Sequence, residues 1–153
     1  MKFKIICISL LIIVSSFPSI CFSEKPDSKV WEYYGKQSDG GVFYYNKMNI
    51  IKSSNIVSVW TYVVVGDDYR NKRFDIMKKC DLQKSEKFKN FDHEKAWVEI
   101  DCNKRLYNTK VLIDYDDKGN NFHSVISDKV KWVNIKTRTP IGLLYEKVCV
   151  TPK

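Results

Sequence analysis

Apolar residues recur at every second position in several short runs, the period of a strand with one covered face. Val30-Trp31-Glu32-Tyr33-Tyr34 reads as a first strand and ends at Gly35. Ser38, Asp39, Gly40 and Gly41 supply turn chemistry before a second strand, Val42-Phe43-Tyr44-Tyr45. A short third strand is predicted over 48–51, followed by the turn Ser53-Ser54-Asn55. The run from Ile56 to Val65 is the longest β-type stretch, rich in Val, Ile, Trp, Tyr and Thr. Neither of its faces is cleanly polar, so it is expected to be central and covered on both sides. Two further strands are expected over 96–102 and 105–116, with Ala96, Val98, Ile100 and Cys102 on the apolar face of the first. In the second, Tyr107, Thr109, Val111, Ile113 and Tyr115 alternate with Leu106, Lys110 and Leu112. Asp116-Asp117-Lys118-Gly119-Asn120 is a hairpin turn, since glycine supplies positive φ. Residues 122–126 return from it, and a last strand over 130–135 carries Trp132.

The period changes to that of a helix in two places. Asp67 or Asp68 can cap a helix over 69–80, with Tyr69, Arg73, Ile76, Met77 and Cys80 on one face. Thr139 caps a second helix with Pro140 at its first position. Ile141, Leu144, Tyr145 and Val148 then fall at i, i+3, i+4 and i+7, a stripe expected to lie on the sheet. Residues 81–93 are charged and are predicted to form a long polar loop anchored by Phe88 and Phe91. Because exposed loops carry function, Lys84, Lys87, Phe88, Lys89 and Phe91 are the candidate binding residues.

The amino terminus changes the compartment. Met1-Lys2-Phe3-Lys4, an apolar run from Ile5 to Val14 and a small-residue exit together make a signal peptide. The run is short for a membrane span. Cys21 and Ser23 stand at −3 and −1 of a cut before Glu24, which leaves a single domain over 24–153. A lipoprotein cut before Cys21 would put Ile20 at −1, where a small residue is expected. Loss of Lys2 and Lys4 lowers the formal net charge of +8 by two. The chain stays basic, which suits a solvated surface or an anionic partner. An exported chain with no nucleic-acid-binding motif gives no reason to invoke nucleic acid.

Export also permits a disulfide. Cys7 and Cys21 leave with the signal, so Cys80, Cys102 and Cys149 remain and one thiol is left over. Among the three pairings, 102–149 joins the apolar strand face to the helix stripe; Cys80 sits in a lysine-rich context. Three cysteines this far apart are not a zinc knuckle. Asp92-His93-Glu94 lacks metal-ligand partner spacing and reads as an exposed loop histidine. Asp114, Asp116 and Asp117 do not match a calcium loop. No nucleophile elbow or phosphate loop occurs, so neither enzyme chemistry nor a cofactor is expected. Trp31, Tyr33, Tyr34, Phe43, Tyr44 and Tyr45 crowd the first two strands, as core packing or as an exposed aromatic patch.

An ordered set of landmarks runs through residues 31–149. Trp31 is followed by Phe43-Tyr44-Tyr45, then by Val57-Ser58-Val59-Trp60. Glu99-Ile100-Asp101-Cys102 leads into Arg105 and Tyr107, then Tyr115-Asp116-Asp117-Lys118-Gly119, Trp132 and Ile135. Leu144-Tyr145-Glu146-Lys147-Val148-Cys149 closes the set. In this the chain resembles the surface-adhesin protein E family of exported bacterial proteins. The resemblance implies an antiparallel sheet with a C-terminal helix tethered by a disulfide, in agreement with the residues. It also implies a non-enzymatic, envelope-associated binding module; the family's named member binds host matrix and serum proteins. The expected fold is therefore α+β: about six antiparallel strands, a middle helix, and a C-terminal helix held by Cys102–Cys149. The expected function is an adhesin-like module in the periplasm, on the outer membrane or secreted. Its partner would be a host or matrix protein or an anionic envelope ligand; a homodimer and peripheral contact with the outer membrane stay open. The alternative is a structural or assembly component of the envelope, acting through dimerisation or sheet-edge pairing.

Overall fold

The computed structural model of the chain describes residues 26–150. The signal peptide, the cut before Glu24, Cys7 and Cys21 lie outside the described residues. The β-type runs become β1 (Trp31–Lys36), β2 (Val42–Ser53), β3 (Ile56–Val64), β4 (Phe91–Asp101), β5 (Leu106–Asp116) and β6 (Asn121–Ile126). They form one antiparallel sheet in chain order, and a two-residue β7 (Val133–Asn134) pairs with β5. Short connections between sequential strands make this order the simplest one. The expected separate strand over 48–51 is instead the end of β2, reached through an irregularity between Tyr45 and Ile50. The expected strand over 130–135 shortens to Val133–Asn134.

Strand alternation sorts the side chains. Val57, Val59, Thr61 and Val63 of β3 stand opposite Ile100, Val98, Ala96 and Glu94 of β4. This row is the inner face and joins Tyr34, Phe43 and Tyr45 in the core. Ser58, Trp60, Tyr62 and Val64 stand opposite Glu99, Trp97, Lys95 and His93 on the outer face. In β5 the pairing skips Lys110, since Trp97 faces Val111 while Val98 faces Thr109. That bulge switches parity. Tyr107 and Thr109 share the inner face with Leu112 and Asp114, not with Val111, Ile113 and Tyr115 as strict alternation predicted.

Helix α1 (Asp67–Cys80) starts at Gly66, which makes no side-chain cap; Asp67 and Asp68 lie in its first turn. A Cβ on Gly66 would stand 2.8 Å from the Gly40 backbone, so the β1–β2 turn packs directly on the helix start. The inward residues are Tyr69, Phe74 and Met77, while Ile76 and Cys80 are exposed. The expected face was rotated because the end of the sheet and Phe88 receive the helix, not the sheet centre. With Val65, Phe88, Phe91 and Phe122 these residues form a second, smaller core.

The C-terminal helix α3 (Pro140–Tyr145) is capped by Thr139, whose hydroxyl accepts from the Gly142 N–H at 3.2 Å. It continues as a wider turn over Glu146–Val150. Leu144, Tyr145 and Val148 are buried in the main core. Three ties hold them to the β4–β5 turn: the Cys102–Cys149 bridge, a Tyr145 hydroxyl donating to the Cys102 carbonyl at 3.0 Å, and the Arg105 guanidinium over the Tyr145 ring. Cys80 is free and exposed.

Candidate functional site

The lysine segment is not a loop. A short helix α2 (Leu82–Ser85) and a 3-10 turn (Glu86–Asn90) lead directly into β4. Asp81 caps α2 by accepting from the Lys84 N–H at 3.0 Å. Phe88 and Phe91 are 1% and 0% exposed, and the Phe88 ring meets Phe91 and Phe122 edge-on at 5.5 and 5.0 Å. They are anchors beneath the surface and do not meet solvent. Lys84, Lys87 and Lys89 stand exposed above them. Lys84 reaches Asp81 and Lys89 reaches Glu86, while Lys87 makes no ion pair among the described residues. Lys78 and Lys89 lie 5.9 and 5.8 Å from the centre of the Phe74 ring, so the cationic ridge extends onto α1.

The outer sheet face is uncovered by any described helix, which corrects the expectation that β3 is covered on both sides. It carries an aromatic row instead. Tyr62, His93 and Tyr115 stack across β3, β4 and β5, with centroids 4.8 and 4.5 Å apart and planes within 9°. Trp31 meets Tyr62 edge-on, and Trp60 packs on Trp97 at 5.4 Å. The Lys95 ammonium lies 5.6 Å from the Tyr62 ring and 5.0 Å from Tyr115. His93 is therefore a half-buried strand residue with Asp92 on its Nδ1 at 2.9 Å, not an exposed loop histidine.

On the inner face, a groove runs between α1 and the start of α3. Its mouth, about 510 Å³, is lined by Phe43, Tyr69, Tyr107, Lys136, Pro140 and Ile141. Its floor, about 140 Å³, is lined by Thr61, Glu94, Ala96, Val98, Thr109 and Leu112, and shares Phe43, Pro140 and Ile141 with the mouth. The mouth falls in the size range of small-ligand clefts, while the floor is a smaller extension of it. At the α1 end, Arg73 lies 3.2 Å from Asp114 and 3.6 Å from Glu94. His123 places Nδ1 2.8 Å from the same Asp114 oxygen, and Asp114 is fully buried. Burial pushes the Glu94 carboxyl up to about 7; Arg73 opposes this, and the neighbouring Asp114 charge and hydrogen bond reinforce it. Burial likewise holds the Tyr34 and Tyr69 hydroxyls above the usual phenol range.

This cluster was invisible to a reading that started β4 at Ala96. Carrying the same alternation two residues back places Glu94 on the apolar face, and an acid there is the signal. Asp114 was hidden by the Lys110 bulge, which reverses the parity of the second half of β5.

A family model described as surface-adhesin protein E matches residues 31–150. No curated protein matches the chain. No solved structure matches it.

Proposed function

Because the chain belongs to the surface-adhesin protein E family, we propose that it is an exported, non-enzymatic binding module that holds protein partners at the bacterial surface. The match over residues 31–150 carries this reading, since it takes in every described strand and helix. No helix of the described residues is long and apolar enough to cross a membrane. A cut before Glu24 would deliver the domain through the inner membrane, for release or for peripheral attachment to the outer membrane.

The ridge of Lys84, Lys87 and Lys89 is the contact we assign to an acidic partner, with Phe88 and Phe91 fixing the backbone beneath it. A ridge of this kind raises association rates through its field and loses strength with salt. The test is surface plasmon resonance of the purified chain over immobilised matrix and serum proteins. The expected result is salt-sensitive binding that falls about tenfold, or about 1.4 kcal/mol, in the Lys84→Glu/Lys87→Glu/Lys89→Glu variant. Unchanged binding in that variant would move the contact elsewhere on the fold. Absence of binding by the wild-type chain would remove the host-protein reading.

The second reading, an envelope assembly component, is favoured by the β6 edge. Val125 and Ile126 are 47% and 72% exposed there, and β6 holds neither Lys nor Pro to discourage pairing. Sedimentation equilibrium that shows a concentration-dependent dimer without added ligand would support it.

A further inference from the structure

We propose that the groove between α1 and α3 binds a small amphiphilic amine, its apolar body over Ala96, Val98 and Leu112 and its ammonium at the Glu94 carboxyl. This site is separate from the lysine ridge and goes beyond the surface-binding reading. Two buried carboxyls, Glu94 and Asp114, face one guanidinium, Arg73. Asp114 Oδ2 meets both Arg73, at 3.2 Å, and His123 Nδ1, at 2.8 Å. Glu94 has Arg73 at 3.6 Å, beyond hydrogen-bond distance, and otherwise shares a hydrogen bond with the Asp114 carboxyl, which needs a proton between the two acids. The other titratable groups that face it are Tyr34 from β1 and Tyr69 from α1, and both keep their protons. When Glu94 is ionised, two adjacent buried carboxyls share the Arg73 guanidinium and the proton that bridged them is gone.

A proton can compensate the Glu94 charge, and so can a ligand cation. Buried carboxylates are costly unless paired, so a cation that reaches Glu94 is strongly preferred over a neutral group of the same shape. Glu94 also lines the floor of the groove and is not sealed behind it. The remaining floor is mainly aliphatic, which selects an apolar body. Lys136 stands at the opposite mouth and repels an ammonium there, so it orients the ligand with its charged end inward.

Amine binding displaces the proton on Glu94. Affinity should rise about tenfold per pH unit below pH 7 and level off above it. The experiment is a two-dimensional amide NMR titration of the full chain with n-hexylamine, hexanol and hexanoate at pH 6, 7 and 8. The expected result is saturable shifts at Ala96, Thr109 and Leu112, with the amine at least tenfold tighter than either other probe at pH 8. Glu94→Gln should erase the preference of amine over alcohol and the pH dependence while leaving hexanol binding intact. Equal affinity for the three probes, shifts confined to the outer face, or no saturable shift by about 10 mM amine would each overturn the proposal. If Glu94→Gln fails to fold, the wild-type pH series with amine against alcohol still decides it.

Discussion

Glu94 gives the fold a pH signature whose sign is fixed by the direction of its shift. Burial raises its carboxyl from the ordinary 4.5 to about 7. A raised acid stabilises the folded state while it is protonated. That contribution is complete below pH 4.5 and is lost as pH rises to 7. At 1.36 kcal/mol per pKa unit the loss is about 3 kcal/mol. Glu94→Gln keeps the shape and cannot ionise, so its stability should be flatter with pH. Urea midpoints at pH 5 and pH 8 measure this. The variant should gain on wild type by about 2–3 kcal/mol between the two, and a constant difference would show that Glu94 stays ionised in the fold. Arg73→Met is the companion test. It removes the one cation close to both Glu94 and Asp114, and should cost about 3–5 kcal/mol at pH 8 because it leaves a buried charge uncompensated. Most inward residues of β3 and β4 were legible from alternation alone. The ionisable ones were missed because single-residue chemistry depends on what crosses from α1 and β6, and no local period records that.

The strands and helices obey their local rules except where a bulge intervenes. β1, β3 and β6 match their predicted runs to within two residues at each end, because period-two alternation with Gly or Asp turns marks them, while β4 ends one residue before its predicted end but starts at Phe91, five residues before the predicted Ala96. β2 was divided in two since Asn46, Lys47 and Asn49 broke the pattern; in the fold, the Asn46 side chain accepts from the Met48 and Asn49 N–H groups and carries the strand through the irregularity. The charged segment 81–93 was read as a loop because its apolar positions, Leu82, Phe88 and Phe91, are too few to show a helical period. The C-terminal helix was fully signalled by Thr139, Pro140 and the stripe through Val148. Its attachment is testable. Cys102 and Cys149 are 47 residues apart, and closing that loop should stabilise by about 4 kcal/mol in the chain-entropy account. Cys102→Ser/Cys149→Ser, or reduction of wild type, should lower the urea midpoint accordingly. Tyr145→Phe should cost about 1 kcal/mol more through the lost hydrogen bond to the Cys102 carbonyl. A double variant that behaves like wild type would mean that Tyr145 and Arg105 hold the helix without the bridge.

For the chain as a whole, export, oxidation and surface chemistry make one joint demand. The bridge needs an oxidising compartment, and the reading of Cys80 as a leftover thiol assumes that Cys7 and Cys21 have been removed. Thiol counting by intact mass under non-reducing conditions separates the possibilities. A chain that begins at Glu24 with its bridge formed should take one label without denaturation, on exposed Cys80, and three after reduction. An uncut, reduced chain should take five on unfolding, since Cys7 and Cys21 are then retained. One label on protein from the envelope fraction would place the bolted helix in the compartment where a surface-binding module has to work. Five labels would mean that the chain had never met an oxidising environment. The family fold would then stand without the tie from Cys102 to Cys149, and both partner binding at the surface and the sheet-edge alternative would lose their premise.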